Sequence, residues 1–198
     1  STGERVPVVG LGTWITFDVG DSPGSRSTLL PVMRGFVAAG GTVIDSSPMY
    51  GSSEEVVGGL LEELRRPRVF SATKIWTPGR WAGAQQVERS LRLWGLERFD
   101  LVQVHNLLDW RTHLPTLAAL KREGRLRYLG VTTSHGRRHD ELERAMREVA
   151  LDFVQFTYSV ADREAERRLL PLARDRGVAV IANRPFDGGG LFDRVRGR

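Results

Sequence analysis

Two periods of apolar residues alternate along the chain. Short runs rich in β-branched and aromatic residues occupy positions 42–44, 69–73, 99–104, 126–131, 153–156 and 178–182. Between them, apolar residues recur at three- and four-residue steps, as on one face of a helix. Leu29, Leu30, Val32, Met33, Phe36 and Val37 set such a face over 27–39, and Gly40-Gly41 closes it. Similar spacing predicts helices over 56–64, 84–94, 113–122, 139–149 and 163–176, with Pro67, Gly95, Gly124 and Gly177 as stops. Residues 6–14 read as a short hairpin arm or cap and then a first strand ending in a glycine turn. Residues 15–25 read as a loop, and a second loop begins at Gly188. The order is strand then helix without a break, seven strands with six intervening helices.

Strands that are apolar throughout are buried on both faces, as in a parallel sheet. The class is therefore α/β, either an open doubly wound sheet or a (β/α)8 TIM barrel. Polar residues gather at the strand C-termini, and no GxGxxG follows the first strand. Both features favour the barrel. A barrel of this kind typically needs about 250 residues. The 198 residues stop one strand and two helices short, so strand eight and the last helices are expected to be missing from them and to exist in the natural protein. No linker or low-complexity tract interrupts the chain, which predicts a single domain over 1–198.

Composition narrows the chemistry. With no cysteine there is no thiolate metal site and no cysteine nucleophile. The net charge is +5, but the arginines are interspersed with Glu and Asp, as in ELERAMRE and DREAERR. That is the pattern of solvated helix faces, and it argues against a nucleic-acid partner. The surplus charge suits a small anionic ligand such as a phosphate-bearing cofactor. No apolar run approaches the ~20 residues of a membrane span. The expected location is the cytoplasm, or the periplasm if a signal segment has been removed; the expected state is a monomer or weak homo-oligomer. Lysine is nearly absent: only Lys74 and Lys121 occur. Lys121 lies at the exposed end of a helix, whereas Lys74 closes an apolar strand. Lysine's pKa can be moved by its surroundings and arginine's cannot.

The stretch over residues 42–55 organises the rest. A strand, Thr42-Val43-Ile44, ends at Asp45, and a turn through Ser46, Ser47 and Pro48 carries Tyr50. Ser52 or Ser53 followed by Glu54 and Glu55 reads as an N-cap with acids in the first helical turn. Asp45, Lys74 and His105 fall at the C-terminal ends of successive strands, and Tyr50 sits in the loop after the first of them. Each has a plain structural explanation alone: a turn residue, a rim ring, a core histidine. In a barrel, all four positions face the mouth where barrel enzymes place their chemistry. A phenol titrates near pH 10, and an adjacent ammonium stabilises its phenolate. A carboxylate keeps that ammonium charged, and a histidine can orient a carbonyl oxygen. The set can protonate a carbonyl, but it contains no hydride source, so a cofactor must supply one.

GLGTW at 10–14, Asp45 with SPMYGSSE at 47–54, ATKIW at 72–76, DLVQVHN at 100–106, YLGVT at 128–132 and DFVQFTYS at 152–159 together resemble the aldo-keto reductase superfamily. The resemblance implies a (β/α)8 barrel that uses NADPH without metal or flavin. It implies Tyr50 as general acid, Lys74 and Asp45 as its tuners and His105 as the carbonyl-orienting residue. Thr132 and Gln155 match positions that hold the nicotinamide carboxamide, and Thr13 and Trp14 match the loop beside that ring. Asp45, Thr133, Asn183, Arg184, Pro185 and Phe186 complete the expected cofactor contacts. The departures are Thr132-Thr133 where the family often has Ser-Asn, and Asn183 where an aromatic usually stacks on the nicotinamide. The segment that reads the adenosine 2′-phosphate falls outside the 198 residues. Trp14, Met49, Trp76 and Trp110, with Phe17 and Trp81 near them, are expected to wall an apolar substrate pocket. The reaction implied is hydride transfer from NADPH to an aldehyde or ketone. The alternatives are a nicotinamide-nucleotide sensor with little turnover and a Schiff-base aldolase using Lys74.

Overall fold

The computed structural model describes residues 2–20, 22–134 and 138–196. Strands β1 (Gly10–Gly12), β2 (Val43–Asp45), β3 (Phe70–Ile75), β4 (Phe99–Val104), β5 (Leu126–Thr132), β6 (Phe153–Thr157) and β7 (Ala179–Asn183) follow one another in the sheet in chain order. The pairings β1–β2, β2–β3, β3–β4, β5–β6 and β6–β7 are all parallel. Helices α1 (Pro23–Ser27) and α2 (Leu30–Ala38) separate the first two strands. Then come α3 (Ser53–Glu63), α4 (Arg80–Trp94), α5 (Trp110–Arg122), α6 (His139–Glu148) and α7 (Leu169–Arg176), one after each strand, and a short α8 (Gly190–Val195). This is the strand order and alternation of a (β/α)8 barrel.

Two compact units partition the chain. One comprises the described residues within 2–104 and 108–129, the other those within 105–107 and 130–196. The first holds β1 to β4 and α1 to α5. Its core is made where α3 and α4 back onto β3, whose six residues are all buried. Val56, Val57, Leu60 and Leu61 of α3 are all at most 2% exposed. Each such side chain contributes about 1.5–3 kcal/mol by leaving water. Gly58 lets α3 settle against the backbone of α4: a Cβ there would lie 1.9 Å from the Leu93 carbonyl oxygen. The second unit pairs β5, β6 and β7 and covers them with α6 and α7. Leu142, Ala145 and Met146 of α6 supply its buried face.

Several expectations need correction. No hairpin arm forms over the described residues 2–9; β1 is only Gly10–Gly12 and pairs in parallel with β2. The loop predicted over 15–25 contains the start of α1, capped by the Ser22 hydroxyl. The loop predicted from Gly188 turns into α8, where Phe186 and Phe192 pack 5.1 Å apart. β3 runs past Thr73 through Lys74 to Ile75, because the ammonium finds partners inside the fold and does not force the strand out. The α3 cap also differs. Ser52 makes no side-chain cap; its hydroxyl donates to Asp18 Oδ1 at 2.9 Å.

Candidate active site

β2 and β3 lie side by side in register, with Asp45 paired to Ala72. That register sets the reach of Lys74, which is 1% exposed. Its Nζ donates to Asp45 Oδ2 at 2.7 Å and to the Ser46 carbonyl at 2.8 Å. The Tyr50 ring lies beside it, its centroid 5.1 Å from Nζ. Two ammonium hydrogens thus meet acceptors within the fold. Burial pushes the lysine pKa down, but the Asp45 charge and then Tyr50 outweigh it, so the group titrates above its ordinary value.

Thr13 is fully buried beneath this group. Its hydroxyl donates to Ser46 Oγ at 2.8 Å, and its backbone N–H donates to the Asp45 carbonyl at 3.1 Å. Trp14 and Met49 are half exposed at 49% and 45%, Trp76 is partly covered, and Trp81 projects into solvent. Trp110 is buried at the start of α5 with the Arg111 guanidinium 4.0 Å from its ring, and Phe17 belongs to the core.

The loop after β3, which carries Trp76, is held by side chains. Gln86 Oε1 accepts from the Trp76 N–H at 2.6 Å, and its amide donates back to the Trp76 carbonyl at 3.3 Å. His113 Nε2 donates to the Thr77 carbonyl at 2.6 Å, and Asp109 Oδ2 accepts from the Gly79 N–H at 2.9 Å. Asp109 titrates below the usual carboxylate range because the Gly79 N–H and then the Thr112 hydroxyl favour its charged form. Sequence reasoning missed these three residues. The one available signal was polar residues on the buried side of α4 and α5.

The second unit gathers the other expected residues. His105 is buried and opens a single 3-10 turn, with Asn106 and Leu107 in left-handed backbone at φ 51° and 55°. The Asn106 N–H donates to the Thr132 hydroxyl at 3.0 Å. The Thr133 N–H donates to the Gln155 carbonyl at 2.8 Å, as β5 and β6 run together. Asn183 accepts from the Thr157 hydroxyl at 2.9 Å and donates to the Thr133 carbonyl at 3.1 Å. Its side-chain amide is therefore built into the fold. The Thr133 hydroxyl is buried with no partner among the described residues. Arg184 has left-handed backbone at φ 55°, Pro185 is exposed, and Phe186 is exposed against Phe192. Among the described residues no group of three or more His, Cys, Asp or Glu could hold a metal ion, and no helix is long and apolar enough to cross a membrane.

The parallel strand–helix alternation is that of a (β/α)8 barrel, with a buried lysine bonded to a carboxylate and lying beside a phenol at the strand ends. The aldo/keto reductase family profile matches residues 8–197, and the chain belongs to that family. It is 27% identical to the NADH-specific methylglyoxal reductase of Escherichia coli, covering 94% of this chain and 66% of that protein. It is 30% identical to the aldo-keto reductase YhdN of Bacillus subtilis, covering 91% of this chain and 58% of the other. The chain thus spans roughly six-tenths of the length of these relatives. An aldo/keto reductase from Klebsiella pneumoniae, solved with NADP and acetate, superposes with a TM-score of 0.78 at 29% identity, over 97% of this chain and 68% of that one.

Proposed function

We propose that this chain carries the proton-delivery and nicotinamide-binding residues of an NAD(P)H-dependent reductase of aldehydes and ketones. The observation that carries the reading is the buried Asp45–Lys74–Tyr50 group, with Nζ 2.7 Å from Asp45 Oδ2 and 5.1 Å from the Tyr50 ring centroid. Tyr50 donates its phenolic proton to the substrate carbonyl oxygen. Lys74 stabilises the phenolate left behind, and Asp45 with the Ser46 carbonyl keeps the ammonium charged and aimed. The carbonyl-orienting role of His105 rests on the family resemblance.

The residues of the second unit fit an amide-bearing nucleotide. An unpartnered buried hydroxyl costs about 1–3 kcal/mol, and the Thr133 hydroxyl is one that a carboxamide would satisfy. Thr132, Thr133 and Gln155 would hold that carboxamide. Thr13, Trp14, Asp45, Asn183, Arg184, Pro185 and Phe186 are the other proposed contacts. When bound, the reduced nicotinamide supplies the hydride. NADPH is the proposed donor because a Klebsiella pneumoniae neighbour was solved with it, although one relative is named NADH-specific. Trp14, Met49, Trp76 and Trp110 are the proposed substrate wall. Two Escherichia coli relatives are named methylglyoxal reductases, which makes that small ketoaldehyde the first substrate to test.

Tyr50→Phe is expected to lower NADPH-dependent methylglyoxal reduction by ~10³-fold while nucleotide affinity, read by fluorescence quenching, stays within about twofold. Turnover retained by that variant would sink the mechanism. Asn183 favours the second reading, a nucleotide-binding sensor with little turnover, because its amide is bonded to Thr157 and Thr133 at a position where the family usually has an aromatic. Tight NADPH binding without its oxidation across an aldehyde panel would select that reading.

A further inference from the structure

We propose that Glu54 is a positioning residue for the Tyr50–Lys74 pair, tying the helix that follows the tyrosine to the strand that carries the lysine. The inference rests on the proton-delivery role proposed above. Glu54 is 3% exposed in the first turn of α3. Its Oε1 accepts from the Thr73 hydroxyl at 2.6 Å and its Oε2 from the Ser90 hydroxyl of α4 at 2.9 Å. Successive strand residues point to opposite faces, so Thr73 and Lys74 leave β3 in opposite directions. Glu54 therefore grips the strand directly behind the lysine.

The tyrosine side of the tie is equally short. The Tyr50 N–H donates to the Ser47 carbonyl at 2.9 Å, and the Ser53 N–H donates to the Tyr50 carbonyl at 3.1 Å. The turn bearing Tyr50 is thus continuous with the first turn of α3, where Glu54 sits. Gly58, one turn on, lets α3 approach α4 closely enough for the carboxyl to reach Ser90. A leucine would fill such a site without burying a carboxyl, which is costly to desolvate. What the carboxyl adds is two simultaneous acceptors facing two different elements. The charged groups around the pair are Asp45 on β2, Lys74 on β3 and Glu54 itself on α3. Asp18 of the first loop accepts from the Ser52 N–H, two residues beyond Tyr50.

The test compares Glu54→Leu, which removes both hydrogen bonds, with Glu54→Gln, whose amide oxygen and NH₂ can still bond one hydroxyl each. Two readouts are taken. One is kcat and KM for 4-nitrobenzaldehyde with NADPH. The other is the ultraviolet titration of Tyr50, obtained as the difference from the same protein carrying Tyr50→Phe. Misplacement of catalytic groups by about 1 Å costs up to ~10²-fold in rate. Glu54→Leu is expected to lower kcat by roughly 10- to 100-fold with KM within about twofold. It is expected to move the Tyr50 titration upward by at least about half a pH unit as the ammonium loses its aim. Glu54→Gln should restore both. A folded Glu54→Leu with an unmoved Tyr50 titration overturns the proposal, whatever its rate. If Glu54→Leu does not fold, Thr73→Val cuts the tie at the strand alone, and an unmoved titration there overturns it equally. If the parent chain shows no turnover, the reductase reading fails while the titration still decides the role of Glu54.

Discussion

Among the described residues, Lys74 and Glu54 are buried charged residues of the first unit whose titration is displaced by the fold, and they are displaced for different reasons. Burial raises the Glu54 pKa above its ordinary value, and the Thr73 and Ser90 hydroxyls and the Lys74 charge only partly oppose this. A carboxyl whose folded pKa is raised binds its proton more tightly when folded, so stability falls as pH rises from the unfolded pKa through the folded one. Glu54→Gln is therefore expected to melt above the parent at pH 8, with the gap closing as pH falls toward the ordinary carboxyl range; scanning calorimetry across that range checks it. Lys74 has the same sign, in a far more alkaline range. Its pKa is raised as a base, so its contribution is intact below the unfolded value and is lost only in strongly alkaline solution. Sequence alone singled out Lys74 because lysine is so rare in this chain. It treated Glu54 as one of two acids in a first helical turn. The distinguishing sign was present, since Glu54, Val57, Gly58 and Leu61 share one helical face, but an acid on that face conflicts with the rule that places charge outside.

At the scale of elements, strand cores were legible and element ends were not. The six apolar runs from 42–44 to 178–182 became strands, because such runs bury both faces in a parallel sheet, whereas Val8 and Val9 stayed exposed outside β1. The ends moved where a side chain replaced the expected terminator. β3 continued because Asp45 and the Ser46 carbonyl matched its lysine, and α4 began at Arg80, four residues early, behind a loop held by Gln86, His113 and Asp109. The two clusters of expected site residues, around Lys74 and around Gln155, could be read because each sits at a strand's C-terminal end. Contacts from the helices behind them could not, because they depend on how closely helices approach. Gly58 is the clearest such contact. Gly58→Ala is expected to cost about 1–3 kcal/mol in urea denaturation, because the obstructing atom is a backbone carbonyl that cannot turn aside. Gly35→Ala in α2, where nothing lies within 4 Å, should be neutral or stabilising.

For the whole molecule, the sheet is unevenly protected. β3 has neighbours on both sides and every residue buried, whereas among the described residues β7 pairs with β6 alone and leaves Ala179 and Ala182 exposed. Amides that open by local fluctuation exchange faster than those that wait for global unfolding. Hydrogen exchange followed by mass spectrometry is expected to show β7 amides exchanging at least roughly 100-fold faster than those of β3. Equal protection would contradict this gradient.

The near absence of lysine also makes the chain chemically addressable. An acylating reagent needs an uncharged, accessible amine, and Lys74 is 1% exposed with two of its ammonium hydrogens bonded. Lys121, partly exposed at the end of α5, is the lysine the reagent can reach in the folded protein. Of the two lysines, brief acetylation at pH 8 should modify Lys121 alone, and both once urea has opened the first unit, as peptide masses would report. The second lysine acetyl group would then time-stamp each molecule in which the amine beneath Tyr50 has met solvent.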